Sequence, residues 1–298
     1  MVKKLLLPVS GIILASLAGW YVIALLAGPR AVYLFEGGTP RITDELTSDW
    51  GRLEGLDLTC PEPTPFCRFV ADTLGLVPEY RQFVEKGFRA AAGKRIDFLL
   101  IYHRTYEGLQ GKTLEEVDQD KIHAQVMESN RLIEQNILAL KPDVIGTEGC
   151  YHDRCDMQGE VEDAKRGARD LGIQVSPQAL EDSFRFIQNE IWYLQFGPKY
   201  PDLPLHGVDN YRLQMFEQTL TIIGGSTGES YADLVHLIWR LRSQYALASM
   251  ALKLKDGQSG VVVMGYAHGR DFKKLAPALG IKGGIYKAIP ANVTMSDF

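Results

Sequence analysis

The sequence predicts an α/β protein with a mostly parallel central sheet flanked by helices, preceded by an N-terminal transmembrane helix. Two observations carry this prediction. From residue 95 onward, short apolar runs alternate with longer amphipathic segments, the order typical of parallel sheets with crossover helices. The chain also begins with a long uncharged apolar segment. Its 298 residues, 46% of them hydrophobic, are enough to bury a substantial core.

The N-terminal segment reads "MVKKLLLPVSGIILASLAGWYVIALLAGPR". Lys3 and Lys4 precede a stretch without charge from Leu5 to Gly28. A membrane-spanning helix needs about 20 apolar residues, whereas the apolar part of a signal peptide is about 7–15 residues long. We therefore expect residues 1–29 to form a retained signal anchor, with a cleaved signal peptide as the alternative. Because lysines stay in the cytoplasm, residues 30–298 would be extracytoplasmic, either periplasmic or extracellular.

The net charge bears on whether the protein binds nucleic acid, and the cysteines bear on whether it contains disulfides. The net charge is −5 and no basic cluster is present, which argues against binding to nucleic acid. The four cysteines form two local pairs, Cys60 with Cys67 and Cys150 with Cys155. An even number of cysteines in an exported domain indicates disulfides. For the second pair, a zinc site that also uses His152 and Asp153 is the alternative.

The elements fall into two regions after the anchor. Residues 30–92 are predicted to form a linker and a small helical subdomain, with a Cys60–Cys67 disulfide, and residues 93–298 the α/β domain. Strands are predicted at "RIDFLLIYH", "DVIGTEG", "GIQVSP", "LPLHGVDN", "GVVVMGYAH" and "GIYKAIP". Helices are predicted at "DQDKIHAQVMESNRLIEQNILALKP", "VEDAKRGARDLG", residues 211–222, "YADLVHLIWRLRSQYALASMALKLKDG" and "GRDFKKLAPALG", with "GGSTGES" as a loop.

Four of the predicted strands end in an ionisable side chain: His103, Glu148, Asp209 and His268. Carboxyl ends of parallel strands lie at one edge of a sheet, where ligands usually bind. Two imidazoles with one or two carboxylates suit Zn, Mn, Co or Fe. Without a metal, the same groups could provide a histidine general base oriented by a carboxylate.

Simpler roles remain open for each of these residues. A histidine at a strand end could only hold a loop, Glu148 could pair with an arginine, and Asp209 could cap the next helix. His123, near the start of its helix, could face the same cleft. The motif H-E-x-x-H, the Walker loop and G-x-G-x-x-G after a strand are absent from the sequence. The stretch "GGSTG" at residues 224–228 has the spacing G-x-S-x-G, but it follows no predicted strand and so does not form a nucleophile elbow.

The order of these motifs resembles the Tiki/TraB superfamily, which includes ChaN-like haem-binding proteins and erythromycin-esterase-like enzymes. The resemblance covers residues 95–290. The late G-x-x-H motif of the family is present as "GYAH", ending at His268, whereas the early one reads "LIYH", with Leu100 in place of glycine before His103. The family glutamate would correspond to Glu148.

The resemblance also assigns an arginine in the helix before the last motif, Arg242 or, as an alternative, Arg240. Tiki-like members are membrane-anchored metal-dependent proteases, esterase-like members hydrolyse with histidine and glutamate, and ChaN-like members bind haem.

The expected function is therefore metal-dependent hydrolysis of a peptide or ester bond by a membrane-anchored extracytoplasmic domain. The expected ligands of Mn, Co, Zn or Fe are His103, Glu148 and His268, with Asp209 as a fourth. Arg270 or Arg242 would stabilise developing negative charge. The alternatives are a ChaN-like haem- or iron-binding protein, with His123 as a cofactor ligand, and a non-catalytic family member.

Overall fold

The computed structural model describes residues 29–42, 44–56, 64–102, 118–151, 155–172, 174, 176, 178, 188, 190–227 and 231–293. Its centre is a six-stranded sheet in the order β1-β6-β2-β5-β3-β4, parallel except for the β1–β6 pair. This confirms the predicted α/β class. The strands are β1 (Tyr33–Glu36), β2 (Arg95–Ile101), β3 (Val144–Thr147), β4 (Leu205–Gly207), β5 (Ser259–Gly265) and β6 (Lys282–Ala288).

Helices of the described residues pack on both faces of the sheet. They are α1 (Ser48–Glu54), α2 (Pro65–Gly75), α3 (Val77–Ala91), α4 (Gln119–Leu140), α5 (Met157–Leu171), α6 (Trp192–Lys199), α7 (Tyr211–Thr227), α8 (Ala232–Lys253) and α9 (Gly269–Ala278). α7 extends through the "GGST" that was predicted to begin a loop. The predicted strand "GIQVSP" falls largely outside the described residues.

Alternation along the strands divides the core between the two faces. In β2, Phe98 and Leu100 belong to a cluster with α1, α2, α3, α7, α8 and α9. Leu99 and Ile101 point to the other face, where they pack with residues of α4 and α6. This period of two with both faces apolar is what a buried parallel strand requires.

Residues 30–92 supply β1, α1, α2 and α3 and share the larger apolar cluster. Trp50 of α1 is fully buried and its Nε1 donates to Gln244 Oε1 of α8 at 2.7 Å. α3 lies directly against α8, which is buried nearly all round between this helix and the sheet. At the contact point, a Cβ on Gly87 would overlap the side chain and backbone of Ala248.

We expect Gly87→Ala to lower the free energy of unfolding by about 1–3 kcal/mol, because the added methyl must push α3 away from α8. Urea denaturation followed by circular dichroism measures this change. Gly51→Ala is the matched control: a Cβ on Gly51 of α1 meets nothing within 4 Å. It should leave stability unchanged or raise it by about 0.5–1 kcal/mol. Equal effects of the two substitutions would contradict the close α3–α8 contact.

Two predictions concern residues that the structure does not describe. The signal anchor falls almost wholly within residues 1–28, which lie outside the described ranges, as does Cys60 of the predicted Cys60–Cys67 pair. Within the described ranges, no helix combines the length and apolar character needed to cross a membrane.

Candidate functional site

The carboxyl edge of the sheet brings together three of the four strand-end residues. Glu148 follows β3 directly, Asp209 lies two residues after β4 and His268 three residues after β5. β5 is hydrogen-bonded to β3, and β3 to β4, so the three side chains approach the same place. His268 Nε2 lies 3.4 Å from Glu148 Oε1. His103 lies outside the described residues, beyond the end of β2.

The guanidinium of Arg242, from α8, lies at the centre of the site and is almost completely buried. Its Nη2 donates to Glu148 Oε1 at 2.6 Å and to Asp209 Oδ2 at 2.5 Å, and its Nε donates to Asp209 Oδ1 at 3.1 Å. Its Nη1 donates to Glu217 Oε2 of α7. Burial lowers the pKa of Arg242, but the negative charges of Asp209, Glu148 and Glu217 together outweigh burial and raise that pKa above its usual value. Arg242 is thus a buried cation that holds three carboxylates.

The turn after β3 fixes the position of Glu148. Gly149 has a φ of +79°, a conformation that side chains rarely adopt, and its N–H points to Asp209 Oδ2 at 3.4 Å. The backbone N–H of Gly265, at the end of β5, donates to Glu148 Oε2 at 2.5 Å. Both oxygens of Glu148 are therefore engaged by neighbours on other elements.

Asp209 does not act as the cap of α7, which was its alternative role. The following residue does so: Asn210 Oδ1 accepts the N–H of Leu213 at 3.1 Å. Asp209 accepts the N–H of Asn210 at 2.8 Å and turns its carboxylate to Arg242, where its side chain is fully buried.

His268 ends a short 3₁₀ turn, Tyr266–His268, and α9 begins at the next residue. The imidazole is buried, and its Nδ1 lies 2.8 Å from Ser243 Oγ of α8. Ser243 Oγ in turn lies 2.8 Å from Asp271 Oδ2 and 3.0 Å from the carbonyl oxygen of Trp239. The Nδ1 side of His268 therefore faces the protein interior, and the Nε2 side faces Glu148.

The predicted metal ligands do not fit a metal shared by Glu148, Asp209 and His268, because Arg242 fills the place between the two carboxylates. A metal there would have to displace the three charged hydrogen bonds that Arg242 donates to Glu148 and Asp209. In the part of the chain that the structure describes, no three His, Cys, Asp or Glu side chains are arranged as metal ligands. A metal site that includes His103 stays a prediction.

Other predicted residues lie apart from this network. His123 is about half exposed, and its Nδ1 lies 2.8 Å from Glu190 Oε1. Arg240 forms a two-pronged ion pair with Asp49, with distances of 2.8 and 3.0 Å. Arg270 is exposed at the start of α9. Of the two arginines that the resemblance left open, Arg242 is the one at the site.

Sequence reasoning missed Glu217 and Ser243. Glu217 had a signal: it lies on the apolar stripe of α7 beside Leu213, Phe216 and Leu220, where a carboxylate is unfavourable unless it has a partner. No sequence signal marked Ser243, because serines inside helices are common. Its two neighbours at the site, His268 and Asp271, follow β5 and are distant from it in the sequence.

Beside the site, the loop after Gly149 carries the Cys150–Cys155 disulfide, which confirms the predicted pair and leaves neither sulfur free to bind zinc. His152 and Asp153 lie outside the described residues.

Glu160, in the first turn of α5, is buried against Tyr193, whose hydroxyl group hydrogen-bonds its carboxyl group. Its Oε1 has no hydrogen-bond partner in the described protein. Burial raises the pKa of Glu160 to about 7.

Comparison of the chain with protein-family models, with curated proteins and with solved structures finds no match. The resemblance to the Tiki/TraB superfamily therefore stays a prediction from the sequence motifs.

Proposed function

We propose that the chain hydrolyses a peptide or ester bond, with His268 as the general base. One observation carries the proposal: at the carboxyl edge of the sheet, Nδ1 of His268 is held from behind by Ser243 while Nε2 faces Glu148 at 3.4 Å. That distance is longer than a good N–H···O hydrogen bond. In the proposed mechanism Nε2 is the ring nitrogen that takes a proton from water.

In this mechanism Nε2 removes a proton from water as the oxygen attacks the substrate carbonyl. The carboxylate of Glu148 stabilises the imidazolium that forms, because the two opposite charges are close and shielded from solvent. The imidazolium then returns the proton to the leaving alcohol or amine, and the products are a carboxylic acid and that leaving group.

Arg242 has a positioning role in this proposal. Its donors are directed to Glu148, Asp209 and Glu217, so it orients Glu148 rather than contacting substrate. Arg270, exposed two residues after His268, is the candidate for stabilising the negative charge that develops on the carbonyl oxygen.

The test is a screen of the purified full chain against peptide and ester substrates, followed by His268→Gln and Glu148→Gln. We expect His268→Gln to lower kcat by about 10²–10⁴-fold, the usual contribution of a general base. His236→Gln, at an exposed histidine of α8, is the control and should retain activity. Unchanged hydrolysis in His268→Gln would show that the activity resides elsewhere.

Two measurements on the same preparation separate the alternatives. Elemental analysis of the full chain and of His268→Ala tests the metal-dependent form: a stoichiometric Mn, Co, Zn or Fe that is lost in the variant would replace the metal-free mechanism. A haem absorption band in the purified chain would favour the ChaN-like alternative, and neither signal with no hydrolysis would favour a non-catalytic role.

We also propose that the chain is anchored in a membrane by its N-terminal segment, with the described domain outside the cytoplasm. The uncharged stretch Leu5 to Gly28 supports the anchor, and the disulfide supports an oxidising compartment. Exposed apolar side chains, Val32 and Leu34, lie where the described chain begins. Resistance of the full chain to carbonate extraction from membranes tests this placement.

A further inference from the structure

Ser243 has more polar neighbours than its single hydroxyl proton can serve. Its Oγ contacts His268 Nδ1 at 2.8 Å, Asp271 Oδ2 at 2.8 Å and the carbonyl oxygen of Trp239 at 3.0 Å. The carbonyl oxygen and an ionised carboxylate only accept hydrogen bonds. If Ser243 gave its one hydroxyl proton to an unprotonated Nδ1, both oxygen contacts would be left without a proton. If the proton goes to Asp271 instead, a proton on Nδ1 of the ring satisfies the contact with the imidazole, and only the carbonyl contact lacks one.

We propose that Asp271, acting through Ser243, keeps a proton on Nδ1 of His268 and so leaves Nε2 as the nitrogen that accepts a proton. In this arrangement Nδ1–H donates to Ser243 Oγ, and the Ser243 hydroxyl donates to Asp271. Ser243 and Asp271 are positioning residues, because they act through His268. The assignment of the proton stands on the hydrogen bonds alone, whereas its role in catalysis rests on the proposed function.

Because the side chains of Ser243 and His268 are buried, losing one of these hydrogen bonds is costly. Ser243 is fully buried and His268 nearly so, which means that water does not replace a lost partner. If the proton were on Nε2 instead, the Nε2–H would point toward Glu148, and Nδ1 would be an acceptor that competes with Asp271 for the single hydroxyl proton of Ser243. The interior face of the imidazole thus selects the tautomer, and the face at the sheet edge carries the reaction.

We call the chain of hydrogen bonds from His268 through Ser243 to Asp271 the relay. The relay requires the carboxyl group of Asp271 to be ionised. Burial raises the pKa of Asp271, whereas its hydrogen bond with Ser243 and the positive charges of Arg240 and Lys274 lower it. The experiment is therefore done at pH 8.

The first test is ¹⁵N NMR of the histidine-labelled full chain in detergent at pH 8, with the His268 signals assigned from His268→Gln. We expect wild type to show Nδ1–H with an unprotonated Nε2. In Ser243→Ala the ratio of the Nδ1–H to the Nε2–H form should fall by about tenfold, the effect of losing one hydrogen bond, because Glu148 then draws the proton to Nε2. Ser249→Ala, another buried serine of α8, should leave the ratio unchanged.

Three outcomes would overturn the proposal: an Nε2–H tautomer in wild type, a ring that stays doubly protonated at pH 8, or an unchanged ratio in folded Ser243→Ala. Asp271→Asn, at a partly exposed site, provides the second variant if Ser243→Ala fails to fold. It should shift the ratio in the same direction.

Kinetics connect the relay to function. If the chain hydrolyses a substrate, Ser243→Ala and Asp271→Asn should lower kcat by about 10- to 1,000-fold and leave KM nearly unchanged, because they alter the base and not substrate binding. The expected tautomer in a chain without hydrolytic activity would leave the proton assignment intact and refute the proposed function. Hydrolysis that depends on His268, found together with the Nε2–H tautomer, would support the proposed function and refute the proton assignment.

Discussion

Replacing Arg242 with methionine is expected to lower the free energy of unfolding by about 3–5 kcal/mol, the typical cost of leaving buried ion-pair partners without their counter-charge. Methionine matches the length of the arginine stem but leaves Glu148, Asp209 and Glu217 without the cation that holds them. Two of these carboxylates have fully buried side chains, so solvent does not compensate them. Urea denaturation at 15 °C measures the change.

Arg240→Met is the matched control, two residues earlier in the same helix. Arg240 also pairs with a carboxylate, Asp49, but its side chain is about one-third exposed. We expect a loss of no more than about 1 kcal/mol, as for other exposed pairs. If Arg242→Met does not fold, Arg242→Lys, which keeps the charge and loses the two-pronged geometry, should give an intermediate loss. A folded Arg242→Met as stable as wild type would show that the three carboxylates do not depend on this cation.

The second large effect is a change in how stability depends on pH in Glu160→Gln. Burial raises the pKa of Glu160 from 4.5 to about 7 in the folded protein, so ionisation of this carboxyl favours the unfolded chain. Its destabilising contribution is absent below about pH 4. It grows as the pH rises through 4.5, the pKa of this carboxyl group in the unfolded chain, and becomes constant above about pH 7, its pKa in the folded protein. Between pH 5 and pH 8, Glu160 should cost wild type about 2–3 kcal/mol.

Glu160→Gln removes this titration, so the variant should lose about 2–3 kcal/mol less stability than wild type between pH 5 and pH 8. Comparing the two pH values within each protein cancels the effect of the amide on the contact with Tyr193. Glu162→Gln on the same helix is the control, because the Glu162 side chain is more than half exposed and should not change the difference. Equal pH dependence in wild type and Glu160→Gln would contradict a carboxyl group that stays protonated near neutrality.

The order of strands and helices in the α/β domain follows from the sequence because each strand is a compact apolar run and each long helix has a stop signal. The strand ends were also predictable: Glu148, Asp209 and His268 lie within three residues of the ends of such runs and meet as expected. The sequence does not reveal which cation holds the carboxylates, since an arginine and a metal ion satisfy the same charges. That choice depends on how α8 crosses the sheet.

The hydrogen-bond partners of His268 likewise could not be predicted from the sequence. Its position at the end of β5 is readable from "VVVMGYAH", but the partner of its Nδ1 comes from the middle of α8 and the next partner from the first turn of α9. No sequence spacing relates Ser243 to Asp271, because their contact arises from the packing of two helices against one strand. Predicting it requires the tertiary structure.

The pairing of β1 with β6 has a consequence for biosynthesis. Tyr33 at the start of the described chain lies opposite Ile285, near its end. The first strand therefore has no partner in the sheet until the last strand has left the ribosome, and β2 also lacks its neighbour β6 until then. Loop-closure entropy makes contacts between such distant residues slow to form. A nascent chain would hold an open sheet edge with apolar side chains until β6 has emerged, and it would depend on chaperones to keep that edge from aggregating.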